Sequence, residues 1–304
     1  DLMKAFPTLA LIVNSGAGRV RPSSVARVQQ ELARRFRVTV HVGSSPDEVA
    51  KLARQAAHAA EVVVAFGGDG TASRVAAGVM GSDAVFSALP GGSTNHVARL
   101  LGFPADPVRA ARLLAGPARF RSLDVGRVDA ERILLFLGGA GIDGAIVRDA
   151  PPSAKRFFAW RTYLLPGLRH LLDGPWHFTV EIDGIQHVVS ARSVLVANGS
   201  FLVHPYFRLG PAIDPSDGVL DLLILHPPHL VGWLELFAWT ALGRLWRSRY
   251  VSSYRGRRLV VRAATPVPAE IDGDSWLGIT ELAVTVEPRA LRALVPAFVR
   301  GVGE

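Results

Sequence analysis

The chain has 304 residues, 49% hydrophobic and 20% charged, a balance that excludes a disordered protein and predicts two domains. It contains no cysteine, which excludes disulfides and thiolate zinc sites and fits a reducing compartment. A formal charge of +8, from 34 basic and 26 acidic residues, favours anionic partners without choosing between nucleotide, nucleic acid and anionic membrane.

The first third alternates regularly. Leu9–Val13 predicts a strand, Ser23–Phe36 a helix, Val38–Val42 a strand and Pro46–Ala60 a helix. Val62–Phe66, Thr71–Met80 and Ala84–Leu89 continue the series as strand, helix and strand. Leu9–Val13 is too short for a signal-peptide core and reads as a buried strand. Continuous apolar strands separated by helices define a doubly wound α/β domain, whose ligands bind beyond the carboxyl ends of the strands. The loops at those ends are Asn14–Gly18, Gly43–Ser45, Gly67–Thr71 and Pro90–Asn95, all small and polar.

Beyond about Ser122 the texture changes. Arg132–Leu137, Trp176–Ile182, Gln186–Val196, Val219–Leu225, Leu259–Ala263 and Glu281–Val286 predict strands, and Asp183-Gly184 is a hairpin signal. The fold expected is therefore α/β: a doubly wound nucleotide-binding domain over 1–122, then a mostly antiparallel β-sandwich domain over 123–304. Pro288–Val299 is expected to be a closing helix.

Four glycine-rich loops on one rim imply a phosphate-bearing ligand, because glycine lets backbone N–H groups approach an oxyanion closely. In VVAFGGDGT (63–71), Asp69 cannot hold a phosphate but can face the magnesium ion that accompanies one. A tight turn capped by Asp69 and Thr71 is the plainer alternative. Asp272-Gly273 likewise carries a turn signal, and Asp214, Asp217 and Asp221 form an acidic stretch suited to a turn or a cation.

Taken together and in order, these stretches resemble the diacylglycerol kinase catalytic-domain family, which includes bacterial lipid kinases and sphingosine kinases. The matching segments are VNSGAG (13–18), FGGDGT (66–71), LPGGSTNHVAR (89–99), LDVG (123–126), Asn198-Gly199, PAIDPSDGVLD (211–221) and IDGD (271–274). The resemblance implies an ATP-dependent kinase acting on a lipid hydroxyl such as that of diacylglycerol, with Mg²⁺. It implies that Asn14, Ser15, Gly16, Ser44, Ser45, Gly67, Gly68, Asp69, Gly70, Thr71, Ser93 and Asn95 line the nucleotide, in a cleft between the two domains. Asp69 would sit by the catalytic magnesium, and Asp272 would be the general base with Asp274 beside it. Asp214, Asp217 and the Val219 carbonyl would hold a second magnesium. A cytoplasmic protein peripheral to the inner membrane face is expected, with a lipid substrate, no nucleic acid, and a homodimer left open.

Departures from the family pattern are His96, where it usually carries Asp, Ser93 for threonine, and Asp274 for glutamate. An NAD kinase shares GGDGT, but Asn95-His96 stands where it would need Ala-Tyr. A non-enzymatic nucleotide- or membrane-binding relic is the other alternative, and His96 is its best support.

Gly139–Gly144 spells GxGxxG, but Asp149-Ala150-Pro151-Pro152 interrupts what should follow and no acidic residue lies at the expected distance, so it reads as a structural glycine turn. Leu230–Tyr250 is apolar, tryptophan-rich and basic at its end, fitting either a core helix or a membrane interface, and Phe157–Arg161 is a second candidate membrane contact. No histidine spacing suits zinc and no nucleic-acid motif accompanies the basic charge.

Overall fold

A computed structural model describes residues 7–150, 164–202 and 206–297. Phe157–Arg161 lies outside the described residues. The chain divides into two compact units, Asp1–Leu123 with Arg289–Glu304, and Asp124–Pro288.

The first unit alternates β1 (Thr8–Asn14), α1 (Pro22–Leu32), β2 (Arg37–Gly43), α2 (Pro46–Ala57), β3 (Val62–Gly67), α3 (Asp69–Val79) and β4 (Val85–Pro90). Two further helices follow, α4 (His96–Leu100) and α5 (Pro107–Ala115). The four strands pair in parallel in the order β4-β3-β1-β2. Every residue of β3 and β4 is buried, as continuous apolar strands covered on both faces require. The chain steps from β1 to β2 on one side and then crosses to β3 and β4 on the other. The crevice where strand order reverses therefore lies between β1 and β3, where such sheets bind ligands.

In the second unit, β5 (Ala118–Arg127) leads in and pairs with β6 (Ile133–Leu134). Then come β7 (Leu137–Gly141), α6 (Ile142–Asp149), α7 (Leu164–His170), β8 (Trp176–Ile182), β9 (Ile185–Ala191) and β10 (Ser193–Ala197). The series ends with β11 (Leu220–Leu225), α8 (Leu230–Ala241), β12 (Val251–Gly256), β13 (Arg258–Ile271) and β14 (Asp274–Pro296). One layer runs β12-β11-β10-β7 and onto the second half of β13; the first half of β13 pairs instead with β8, and β8 with β9. Register shifts between Arg262 and Ala269 mark where β13 bends from one layer to the other. Val180, Val196, Leu222, Leu259, Ile271 and Val284 belong to the core. Leu195 and Leu223 point the other way, onto Trp233 and Leu236 of α8, so β10 and β11 are buried on both faces.

The C-terminal expectation is corrected. Instead of a helix over Pro288–Val299, the described part continues β14 to Pro296, and Ala293 pairs in parallel with Phe86 of β4. Leu291, Ala293, Leu294, Val295 and Pro296 are buried and Arg292 is exposed, so from Ala293 onward the strand is buried on both faces. The segment predicted as one strand over Gln186–Val196 is two, broken at Arg192, whose guanidinium donates to the carbonyls of Pro227, Asp173 and Gly174. No helix among the described residues is long and apolar enough to cross a membrane.

Candidate active site

The four loops at the carboxyl ends of β1 to β4 are tied to one another. Asn14 Nδ2 donates to Thr71 Oγ1 at 2.8 Å while its Oδ1 accepts the Gly16 N–H at 2.9 Å. The Ser15 N–H donates to the Gly43 carbonyl at 3.0 Å, and Arg19 N–H to the Gly91 carbonyl at 3.1 Å. Gly91 N–H donates to the Gly67 carbonyl at 2.7 Å. The glycines serve this junction first. A Cβ on Gly92 would stand 2.6 Å from the Gly68 Cα, and one on Gly67 would stand 2.5 Å from Thr71 Oγ1. Gly68 differs, since a Cβ there would meet only the Gly92 Cα at 3.5 Å. Gly68 is also the N-cap of α3, so the leading N–H groups of that helix, which lack intrahelical acceptors, emerge where a backbone can be approached.

Asp69 is the first residue of α3 and is buried. Its Oδ1 accepts the Val97 N–H at 2.9 Å and its Oδ2 the Thr94 hydroxyl at 2.8 Å. Asn95 sits in the left-handed region with φ 55° and closes its loop by pairing with both the N–H and the carbonyl of Gly92. His96 Nδ1 lies 3.6 Å from Asp69 Oδ2, and burial pushes the imidazole below its ordinary value against the pull of Asp69, so the ring is neutral near pH 7. Asp69 thus fastens the β4–α4 loop to the start of α3. Positive charge comes from Arg19 and Arg99: burial lowers Arg99, Asp69 opposes this, and the nearby Arg19 adds to the lowering. Two guanidiniums beside a helix N-terminus suit a polyanion.

Ser44 and Ser45 stand at the start of α2. Ser45 Oγ accepts the Glu48 N–H, and Glu48 Oε2 accepts the Ser44 N–H and hydroxyl, which caps α2. Ser93 is half-buried between Gly92 and Thr94. Thr94, Arg19 and Arg99 went unassigned in the sequence; their signal is position, two inside the LPGGSTNHVAR stretch and one directly after the first glycine loop.

In the second unit the family-like stretches converge on a buried polar cluster. Asp272 and Gly273 form the two-residue hairpin between β13 and β14, with φ 48° and 82°, as a type I′ turn requires. Asp272 is buried, and its carboxylate accepts the N–H groups of Leu135, Phe136 and Leu137 at 2.8, 2.9 and 3.1 Å. Asn198 Nδ2 donates to the carbonyls of Leu135 and Asp124, both at 2.9 Å. Asp124 in turn accepts the Gly218 N–H at 2.6 Å and donates its own N–H to the Pro215 carbonyl. Gly199 is packed so closely on Phe136 that a Cβ would lie 2.1 Å from the ring. A second Asp-Gly hairpin, Asp183-Gly184, is built alike, its carboxylate accepting the N–H groups of Arg257 and Arg258. Asp274, the next residue along β14, is half-buried.

The expected cation set at Asp214, Asp217 and Val219 does not fit a magnesium ion as arranged. Asp217 Oδ2 is engaged by the Arg255 guanidinium, whose Nε lies 3.3 Å from Asp221 Oδ1. Asp217 Oδ1 accepts the Val219 N–H at 3.2 Å, and Asp214 accepts the Ser216 hydroxyl at 2.6 Å. Arginine supplies the positive charge here. Among the described residues no three carboxylate or imidazole side chains come together as a cation site, and both Asp69 oxygens are occupied by protein donors.

The GxGxxG stretch is a strand–helix junction rather than a turn: β7 ends at Gly141 and α6 follows for eight residues before stopping at Asp149. Its glycines answer to protein atoms. A Cβ on Gly139 would sit 2.1 Å from Asp143 Oδ2, one on Gly144 2.4 Å from the Ala269 nitrogen, and Gly141 has φ 113°.

A doubly wound unit presenting phosphate-suited loops, followed by a β-sandwich unit with a buried carboxylate cluster, defines a class of kinases. The diacylglycerol kinase catalytic domain model matches residues 8–128, and the model described as the YegS C-terminal NAD kinase beta sandwich-like domain matches residues 139–295. The chain belongs to the diacylglycerol kinase catalytic-domain family, a family of lipid kinases. It is 24% identical over 272 residues to a diacylglycerol kinase of Bacillus subtilis, covering 87% of this chain and 88% of that one. It is 28% identical over 303 residues to a Pseudomonas fluorescens protein named "Probable lipid kinase YegS-like", covering 94% and 95%. A crystal structure of a diacylglycerol kinase from Bacillus anthracis shares the fold, with TM-score 0.71 and 17% identity over 98% of this chain and all of that one.

Proposed function

We propose that this chain transfers the γ-phosphoryl group of ATP to a hydroxyl group of a lipid. The observation that carries the reading is the rim of the first unit: four interlocked loops at one sheet edge, the N-terminus of α3, and Arg19 and Arg99 beside it. Phosphoryl transfer is mostly positioning and charge neutralisation, and this rim offers both to a triphosphate. Gly68 and Gly70 bring backbone N–H groups to the phosphates, while Asn14, Thr71, Asp69 and Asn95 keep the loops in register. Magnesium would enter with the nucleotide as its counter-ion and supply charge neutralisation at the phosphates.

On the acceptor side the reading rests on the Asp272-Gly273-Asp274 hairpin. A hydroxyl gives up its proton to a carboxylate within hydrogen-bond reach. Three backbone N–H groups fix the Asp272 carboxylate in place, and its two oxygens offer about four acceptor positions, so these bonds do not bar it from taking a proton. On this reading Asp272 has two parts, positioning the loop 135–137 and accepting the hydroxyl proton on its carboxylate, with Asp274 beside it. The lipid acceptor brings with it peripheral contact with a membrane.

The test is incubation with γ-labelled ATP, magnesium and a total lipid extract, with NAD in a parallel reaction. Label is expected in an organic-extractable phospholipid. Label in NAD alone would establish the NAD kinase alternative, and nucleotide binding with no labelled product in either reaction would establish the relic.

A further inference from the structure

We propose that the exposed apolar face of α8, together with the adjoining end of α7, is the surface through which this protein docks on an anionic lipid bilayer. The proposal rests on the lipid-kinase reading only for its purpose, since a lipid acceptor resides in a bilayer; the surface itself is read from the second unit alone.

In α8, Trp233 and Leu236 face inward, onto Leu195 and Leu223 of the sheet. Leu230, Leu234 and Phe237, at i, i+4 and i+7, form an adjoining outer stripe, with the Phe237 ring stacked on Trp233, and each is more than half exposed. An amphipathic helix ordinarily puts charge on its outer stripe; this one puts leucine and phenylalanine there. Beside it, Leu165, Leu168 and Leu172 on α7 and just past its end are also more than half exposed. The two segments adjoin: Trp233 Nε1 donates to the Leu171 carbonyl at 2.7 Å, and Leu171 packs on the same cluster as Trp233 and Leu236. Single exposed apolar residues are ordinary on a soluble protein, whereas a contiguous group marks an interaction surface.

Charge identifies the occupant. Arg169 lies on α7, and Arg244 and Arg247 follow α8; all three are exposed, and no carboxylate pairs with them among the described residues. The acid of α8, Glu235, is held by Arg249 and Ser248. An apolar stripe bordered by arginines matches a bilayer surface, where the leucines enter the headgroup–acyl boundary and the guanidiniums meet lipid phosphates. A second copy of the chain seated on the same face would set these arginines against their own counterparts.

The experiment is flotation of the full chain with vesicles of phosphatidylglycerol and phosphatidylcholine, and of phosphatidylcholine alone, with no acceptor lipid present. Wild type is expected to float with the anionic vesicles and to detach as salt is raised. Leu234→Glu/Phe237→Glu should weaken binding by about tenfold or more, and Arg244→Gln/Arg247→Gln should weaken it and flatten its salt dependence. Both variants should keep the wild-type melting temperature and, where a dispersed short-chain acceptor is phosphorylated, that activity. Equal flotation of wild type and Leu234→Glu/Phe237→Glu would overturn the proposal. A dimer that the same variant dissociates, with no vesicle binding by wild type, would overturn it in favour of self-association. Vesicle binding that needs this face, without any labelled lipid in the kinase assay, would uphold the docking surface and remove the kinase reading.

Discussion

The Asp272 carboxylate accepts the N–H of Phe136 at 2.9 Å across 136 positions of sequence, and it takes the N–H groups on either side of Phe136 as well. One buried side chain therefore fixes three consecutive peptide units of the loop 135–137. Removing it leaves three buried donors without an acceptor, each costing about 1–3 kcal/mol. Asp272→Ala is expected to lose several kcal/mol of stability in urea unfolding. Asp272→Asn should lose about 1–3 kcal/mol, because its amide nitrogen meets an N–H where an oxygen stood. Both should lose lipid phosphorylation. Asp274→Asn on the half-buried neighbour should lose activity without the loss of stability. Wild-type stability in Asp272→Asn would show that its carboxylate is not what holds the loop.

Asp143 gives the second unit an inverted pH response. The residue is half-buried, but its Oδ2 is buried beside Gly139 with no hydrogen-bond partner, while Oδ1 accepts the Ser193 hydroxyl. Burial, partly offset by Ser193, pushes it from 3.8 up to about 6. Glu270 is raised well above its ordinary value, by burial first and by Asp143 next. A carboxyl raised on folding binds its proton more tightly in the native state. Its contribution is fully present below the unfolded value near 3.8, is lost as pH rises towards about 6, and is flat above that. A rise of this size corresponds to about 3 kcal/mol. Asp143→Asn is expected to be more stable than wild type at pH 8, by up to that amount, and to show a shallower decline between pH 4 and pH 6. Urea unfolding at a series of pH values reads both; a variant less stable than wild type at pH 8 would contradict the account.

The parallel sheet and its rim of small polar loops were legible because both leave local marks: unbroken runs such as Val62–Phe66, and glycines directly after them. What those glycines do was not legible. Gly67, Gly91 and Gly92 read as room for a phosphate, but they are also packed against protein: a Cβ would meet the Thr71 side chain at Gly67, Val20 and the Gly67 backbone at Gly91, and the Gly68 backbone at Gly92. The closing segment was misread for a related reason. Pro288–Val299 carries apolar residues at spacings that a helix and a doubly buried strand share, and only the vacancy beside β4 decides between them. Asp272 shows the limit most clearly. Asp-Gly is a strong local turn signal, correct at both 183 and 272, but nothing near Asp272 in the sequence announces the N–H groups of Leu135 to Leu137.

Arg255 stands where the resemblance implies a second magnesium ion. Its guanidinium reaches Asp217 and Asp221, on the strand pair in which Asp221 and Arg255 are opposite neighbours. Wild type is accordingly expected to melt at the same temperature in millimolar magnesium and in EDTA. Arg255→Met removes the positive charge and sets the two carboxylates against each other. It should lower the melting temperature, and added magnesium or manganese should restore part of the loss. A magnesium-dependent melting temperature in wild type, absent nucleotide, would return the site to the metal.

His96 fills the position beside Asp69 where the family pattern carries an aspartate, with its ring 3.6 Å from the Asp69 carboxylate. The two arrangements differ in charge. A neutral imidazole leaves Asp69 as a single carboxylate, held by Thr94 and the Val97 N–H. Two carboxylates in the same space would repel unless a cation or a proton intervened. His96→Asp is therefore expected to be less stable than wild type without ligand, by about 1–3 kcal/mol, and to regain more stability than wild type does when magnesium and ATP are both added. Asp69→Asn should behave differently. Its amide nitrogen still satisfies the Thr94 hydroxyl while its oxygen keeps the Val97 N–H, so the loss of stability should be about 1 kcal/mol, but lipid phosphorylation should fall sharply. Thermal melts with no ligand, with magnesium, and with magnesium plus ATP, run on both variants, separate the two effects. A His96→Asp variant that melts like wild type in all three conditions would mean that position 96 does not face the Asp69 carboxylate.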